Sequence, residues 1–170
     1  AVMGTISGIF AATGQTCIAG SRLLVQRTVH DRFVERLIEV AKEARIGDPM
    51  STETHVGPVT TPPQYRKILD YIEVARKEGA KCVLGGKPYA GDGVRSDRFV
   101  EPTIFTGVSN QMRIAQEEIF GPFLSVIPFE DEEEAIAIGN DIVFGLAAGV
   151  WTSDIGRALR LSLIHISEPT

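Results

Sequence analysis

Cys17 lies in the run Thr13-Gly14-Gln15-Thr16-Cys17-Ile18-Ala19-Gly20. Glycines on both sides allow tight turns and the close approach of a ligand. The run falls between a predicted helix and a predicted strand, a junction that can present a side chain to a cleft. A thiolate presented there is a strong nucleophile. Free cysteine is also among the most buried residue types, so a small core thiol fits the same context. The local residues leave both readings open.

A second constellation stands about a hundred residues away. Glu117-Glu118-Ile119-Phe120-Gly121-Pro122 sets two carboxylates beside an aromatic ring and a Gly-Pro turn. A carboxylate accepts hydrogen bonds from a sugar diol, and a ring packs against a flat heterocycle. The plain alternative is a solvated acidic turn anchored by Phe120. His30, His55 and His165 are scattered, without the Cys/His/Asp spacing of a metal site, so no metal is expected.

The elements that must position these residues alternate between helix and strand. Residues 1–13 are small and apolar and predict a buried helix that stops at Gly14. Ser21 to Gln26 reads as a buried strand. Phe33, Val34, Leu37, Ile38 and Ala41 recur at helical spacing, and Gly47-Asp48-Pro49 is the expected stop. A polar loop follows to residue 61. Thr61 then predicts an N-cap, with Pro62 and Pro63 in the first turn of a helix running to Gly79. Lys81 to Leu84 reads as a strand and Gly85-Gly86 as a turn; loop residues gather at 91–93. Short extended pieces are expected at 99–101 and 103–108, and a strand at 124–129. Asp131 predicts an N-cap ahead of Glu132, Glu133 and Glu134, with the helix ending near Gly139. Ala147 to Trp151 reads as a strand, and Ser153 or Asp154 as the cap of a last helix. The alternation predicts an α/β fold with a mostly parallel sheet flanked by helices.

Composition excludes several classes. With 170 residues, 44 % hydrophobic and 23 % charged, the chain has enough apolar content for a core. A net charge of −5 and no basic stripe argue against nucleic-acid or membrane-surface partners. No apolar run approaches the roughly 18–20 residues of a membrane span. Two cysteines are too few for a disulfide framework, and free thiols suit a reducing compartment, so a cytoplasmic location is expected.

Taken together, the motifs resemble those of the aldehyde dehydrogenase superfamily, which is NAD(P)-dependent. Phe10-Ala-Ala-Thr-Gly-Gln-Thr-Cys17 looks like its cysteine motif, and Gln116-Glu-Glu-Ile-Phe-Gly-Pro122 like its glutamate motif. Between and beyond them, Gly47-Asp48-Pro49, Gly57-Pro58, Gly85-Gly86, Glu101-Pro102-Thr103 and Phe144 to Val150 occur in the family's order. The resemblance covers residues 1 to about 162 and implies an incomplete catalytic domain over 1–162. It implies that Cys17 attacks an aldehyde carbonyl, that a hydride passes to NAD or NADP, and that water releases the acid from a cysteine thioester. Glu118 would hold the nicotinamide ribose and Phe120 would pack near the nicotinamide. Gln64 and Lys67 fall where the family also contacts that ribose, although solvated Gln and Lys on a helix are the commoner case. Thr16 and Ile18, flanking the nucleophile, would line the substrate tunnel.

The same resemblance defines departures. The family's general-base glutamate precedes the cysteine in a Glu-Leu-Gly-Gly motif. Here Val83 stands at the corresponding place in Val83-Leu-Gly-Gly86, downstream of Cys17, so that segment is a turn and not the base. The cofactor is expected to bind mainly to a domain outside this chain. The parent protein is expected to form a homodimer or homotetramer, and this segment alone to be inactive. Leu163 to Thr170 matches nothing in the family and is expected to be a non-native tail. Two other readings stand beside this one: a cysteine hydrolase or acyltransferase, which would need a histidine base, and a non-catalytic α/β module with a buried thiol.

Overall fold

A computed structural model describes residues 1–91, 94 and 98–164. The loop expected at 91–93 and the tail expected at 163–170 therefore fall largely outside the described residues. The described elements are α1 (Val2–Phe10), a 3-10 turn (Ala11–Gly14), β1 (Arg22–Gln26), α2 (Arg27–Ala41), α3 (Pro62–Lys77), β2 (Lys81–Leu84), β3 (Thr103–Thr106), α4 (Arg113–Gln116), β4 (Phe123–Phe129), α5 (Glu132–Asn140) and α6 (Ile155–Ile164).

The four strands form one sheet in the order β1-β4-β3-β2. β1 and β3 both run parallel to β4, and β2 joins the edge antiparallel to β3. The mostly parallel sheet expected from the α/β alternation is thus present.

β4 is central and covered on both faces, which explains its nearly continuous apolar run. Phe123 and Ile127 point to a core shared with Ile68, Ile72 and Ala75 of α3. Leu124 and Val126 point to the opposite core, with Ile9 and Phe10 of α1 and Val34 and Leu37 of α2. This is the period-2 alternation of a strand with a hydrophobic layer on each side. Phe105 of β3 stacks on Phe123, with ring centroids 5.1 Å apart and planes 15° from parallel.

α3 follows its local signals. The Thr61 hydroxyl accepts from the Gln64 N–H and Pro sits in the first turn, a cap that contributes about 1 kcal/mol. Ile68 and Ile72 are fully buried, each worth roughly 2 kcal/mol of transfer. Asp131 caps α5 in the same way, through the Glu134 N–H.

Three sequence expectations need correction. α2 begins at Arg27, directly on the end of β1, and stops at Ala41 rather than at Gly47. The chain leaves the helix early because Ile46 pairs with Val56 in a parallel bridge and the Gly47 N–H donates to the Val56 carbonyl. α1 ends at Phe10, three residues before the expected boundary, because Ala12 and Thr13 turn left-handed. Residues 147–151 form no strand and are exposed. A strand must pair its backbone groups with a neighbour, and no described strand lies beside this segment. Trp151 instead rests on the backbone of Gly4, where a β-carbon would come within 2.1 Å of its ring. The last helix is capped as expected, Asp154 Oδ1 accepting from the Arg157 N–H at 3.1 Å.

Candidate active site

Topology brings the two constellations together. Residues 17–21 lead into β1 and residues 118–122 lead into β4, and these strands are parallel neighbours with Arg22 opposite Ser125. Both loops therefore emerge at the amino ends of adjacent strands. Ligands of open α/β sheets more often sit at the carboxyl ends, so the location is set here by the loops and not by the general rule.

A crevice of about 40 Å³ lies between the two loops, lined by Thr16, Cys17, Ala19, Glu118, Ile119 and Phe120, with Gly14 and Gly121 beneath. Of the expected site residues, Cys17, Thr16, Glu118 and Phe120 meet here. Ile18 does not line the crevice and is 63 % exposed. Gln64 and Lys67 reach the site indirectly. Gln64 Nε2 donates to the carbonyls of Ile119 and Phe120 at 2.7 and 2.9 Å, and Lys67 Nζ donates to the Glu118 carbonyl at 2.7 Å. One helix face thus grips the backbone of the glutamate loop at three successive carbonyls.

Cys17 is exposed, which removes the buried-thiol reading. It occupies a turn closed by a hydrogen bond from the Ala19 N–H to the Thr16 carbonyl at 2.9 Å. Its own N–H donates to nothing among the described residues, leaving a donor next to the sulfur. Among the described residues no histidine lines the crevice, so none of them supplies beside the thiol the base that a cysteine hydrolase needs. Among the described residues, no three His, Cys, Asp or Glu side chains converge as a metal would require.

The two acidic residues divide their work. Glu117 is engaged: Arg113 holds it through two hydrogen bonds, 2.7 and 2.9 Å, and the Tyr71 hydroxyl donates to it as well. The Arg113 guanidinium, and then the Tyr71 hydroxyl, hold its carboxyl down at about 2. Burial, followed by the Glu117 contact, pushes the Tyr71 phenol up. Glu118 points the other way, and its carboxylate makes no hydrogen bond or ion pair among the described residues while lining the crevice. A free carboxylate beside an exposed thiol and an aromatic ring fits the ribose and nicotinamide end of a dinucleotide. The crevice is far smaller than a whole ligand site, which occupies roughly 300–1,000 Å³.

The loops are also locked to each other by residues that motif reading did not single out as functional. Gly14 has φ +65, and a β-carbon on it would lie 2.0 Å from the Gly121 carbonyl oxygen. Gly121 packs on Ile68, whose Cδ1 would be 2.4 Å from an added β-carbon. Phe120 itself adopts φ 59, a left-handed conformation that costs a non-glycine residue roughly 1–2 kcal/mol. The glycines flanking each motif were the visible signal. Their partners, far apart in sequence, were not.

The family model for the aldehyde dehydrogenase family matches residues 1–163. The chain belongs to the aldehyde dehydrogenase family. It is 48 % identical over 161 residues to a betaine aldehyde dehydrogenase of Mesorhizobium japonicum, covering 95 % of this chain and 33 % of that relative. Among solved structures it is similar to betaine aldehyde dehydrogenase from Staphylococcus aureus in complex with NAD+. There the TM-score is 0.94 with 40 % identity, over 96 % of this chain and 33 % of the other. Indole-3-acetaldehyde dehydrogenase complexed with NAD+ matches with TM-score 0.91 and 44 % identity, over 96 % and 33 % of the two chains. The aldehyde dehydrogenase chain described here spans about a third of the length of these relatives.

Proposed function

We propose that this chain carries the nucleophile and one wall of the cofactor site of an NAD(P)-dependent aldehyde dehydrogenase that converts an aldehyde to a carboxylic acid. The observation that supports it most is the meeting of Cys17 with Glu118 and Phe120 around one crevice.

In this reading the Cys17 thiolate attacks the aldehyde carbon. A C–S bond forms, and the carbonyl π pair moves onto oxygen to give a thiohemiacetal anion. The free Cys17 N–H donates to that oxygen, a preorganised donor where negative charge develops. The Glu118 carboxylate would accept from the ribose hydroxyls of the cofactor and Phe120 would pack against its nicotinamide. Bound NAD(P) supplies the two-electron acceptor. Gln64 and Lys67 fix the backbone of residues 118–120 and so set where Glu118 and Phe120 stand. Thr16 lines the aldehyde's approach, and the exposed Ile18 completes that approach only against further chain. Hydrolysis of the resulting thioester needs a base to draw a proton from water, and we assign that base to a part of the longer protein. Two unpaired thiols support a reducing compartment, hence the cytoplasm. We further assign the full-length protein to a homodimer or homotetramer, the assembly implied by the family resemblance.

The test is NAD- or NADP-dependent aldehyde oxidation by the full-length protein that contains this chain. Turnover is expected, and Cys17→Ala is expected to abolish it; dehydrogenase activity that survives Cys17→Ala would sink the assignment.

A further inference from the structure

Three consecutive residues just before Cys17 have left-handed backbone: Ala12 at φ 49, Thr13 at φ 59 and Gly14 at φ 65. Two of them carry a β-carbon, so the turn opposes the ordinary preference of an L-amino-acid chain. Such a conformation persists only where surrounding contacts over-determine it. Beside the Gln15 N–H bond to the Ala12 carbonyl within the turn, at 3.1 Å, and the packing of Gly14 on Gly121, two side chains tie the turn to one further stretch of chain. The buried Thr13 hydroxyl donates to the Gly57 carbonyl at 3.2 Å, and Gln15 Oε1 accepts from the Thr60 N–H at 3.0 Å.

We propose that Thr13 and Gln15 are positioning residues for the Cys17 thiol, holding this left-handed turn closed against the 57–61 segment. The inference rests on the reading of Cys17 as the nucleophile. Its geometric consequence is specific, because the segment that receives both tethers runs straight into the Thr61 cap of α3. One turn further, Gln64 and Lys67 hold the carbonyls of residues 118–120. A single continuous stretch, 57–67, therefore holds both walls of the crevice. The cysteine turn hangs from its first half and the glutamate loop from its second. Losing the Gln15 or Thr13 tether lets the nucleophile wall move while the opposite wall stays in place.

The experiment uses the full-length protein with two pairs of variants. Gln15→Leu and Thr13→Val remove a tether; Gln15→Glu keeps the acceptor and Thr13→Ser keeps the hydroxyl. Steady-state kinetics and the pH profile of Cys17 alkylation by iodoacetamide, followed on the Cys17 peptide by mass spectrometry, are the two readouts. For the tether-less variants kcat is expected to fall by about tenfold to a hundredfold, as a displacement on the order of 1 Å would produce. The KM for NAD(P) should stay within about threefold of wild type, because the opposite wall is untouched. The alkylation profile shifts in the same variants, and the conservative partners recover most of both losses.

The proposal is overturned if Gln15→Leu and Thr13→Val keep kcat within about twofold with an unmoved alkylation profile. It is equally overturned if Gln15→Glu and Thr13→Ser are as impaired as their partners. Should one tether-less variant fail to fold, the pair at the other position decides. If the wild-type protein shows no dehydrogenase activity, the proposed function fails, whereas the alkylation profiles still decide the role of the tethers.

Discussion

Gly14 rests directly on the carbonyl oxygen of Gly121, so closely that a β-carbon at residue 14 would lie 2.0 Å from it. The contact joins the turn that presents Cys17 to the loop that presents Glu118, across 107 residues of sequence. The two loops are thereby in direct backbone contact before any ligand binds.

Replacing Gly14 separates two costs that usually come together. Gly14→Ala would impose a strained φ of +65 and also a clash with backbone that cannot rotate away. Gly107 has φ +66 with nothing within 4 Å of an added β-carbon, so it carries the first cost alone. Gly107→Ala is expected to lose about 1–2 kcal/mol of stability. Gly14→Ala is expected to lose about 3 kcal/mol or more, since overpacking adds to the strain. Urea unfolding of both variants measures the difference, and equal losses would contradict the close contact.

The two thiols should react at different rates. Cys17 is exposed, whereas Cys82 is partly buried and its Sγ contacts the Leu84 carbonyl at 3.3 Å. Burial pushes the Cys82 thiol up, opposed by the Arg76 charge and by a backbone hydrogen bond of Leu84. Because the thiolate is the reactive form, Cys82 presents less of it at any neutral pH. Iodoacetamide at pH 8 is expected to label Cys17 first and Cys82 several times more slowly, with the gap closing in denaturant. Equal rates in the native protein would contradict the burial of Cys82.

How much of this was legible depended on whether the signal was local. The stripe Ile68, Ile72, Ala75 and the caps Thr61 and Asp131 are read within a few residues, and those helices formed where expected. α2 begins at Arg27 with no side-chain cap at Gln26, so nothing in the sequence marked its start. The apolar run at 147–151 looked like a strand because strand propensity is visible in a single segment and strand pairing is not. The site divides in the same way. Cys17, Glu118 and Phe120 were legible from their motifs and the family they resemble. The tethers from Thr13 to Gly57 and from Gln15 to Thr60 span 44 and 45 residues and bond a side chain to backbone, which leaves no periodicity to detect. Gln64 and Lys67 were noticed, but their partners are main-chain carbonyls, which sequence does not distinguish.

The Glu117 cluster predicts a pH-dependent contribution to stability. Its carboxyl is held at about 2 by Arg113 and Tyr71, below the unfolded value of roughly 4.3. A depressed folded value means the stabilisation is present in full above the unfolded value and is lost as pH falls towards about 2. The group is well exposed to solvent, at 39 %, so screening limits the effect to about 1 kcal/mol or less. Glu117→Gln is expected to lower the urea midpoint at pH 6 and to have a smaller effect at pH 3. An undiminished difference at pH 3 would show that the residue acts through packing instead of charge.

The last prediction concerns the 170-residue chain by itself. Phe144, Leu146, Val150 and Trp151 are 52, 54, 41 and 65 % exposed, and Val143 beside them is 88 % exposed. These residues form one stretch of sequence without regular structure, and apolar exposure of this kind marks a surface that binds something. Among the described residues the crevice beside Cys17 is lined by no carboxylate other than Glu118, whose proposed partner is the cofactor. A thioester formed on Cys17 would therefore have no base at hand for its hydrolysis. The isolated chain is expected to bind a hydrophobic dye, to alkylate readily at Cys17, and to produce no sustained NADH from an aldehyde and NAD, at most one equivalent per Cys17. Sustained NADH formation by the isolated chain would mean that these residues contain a base of their own, and it would move the proposed division of labour back into this segment.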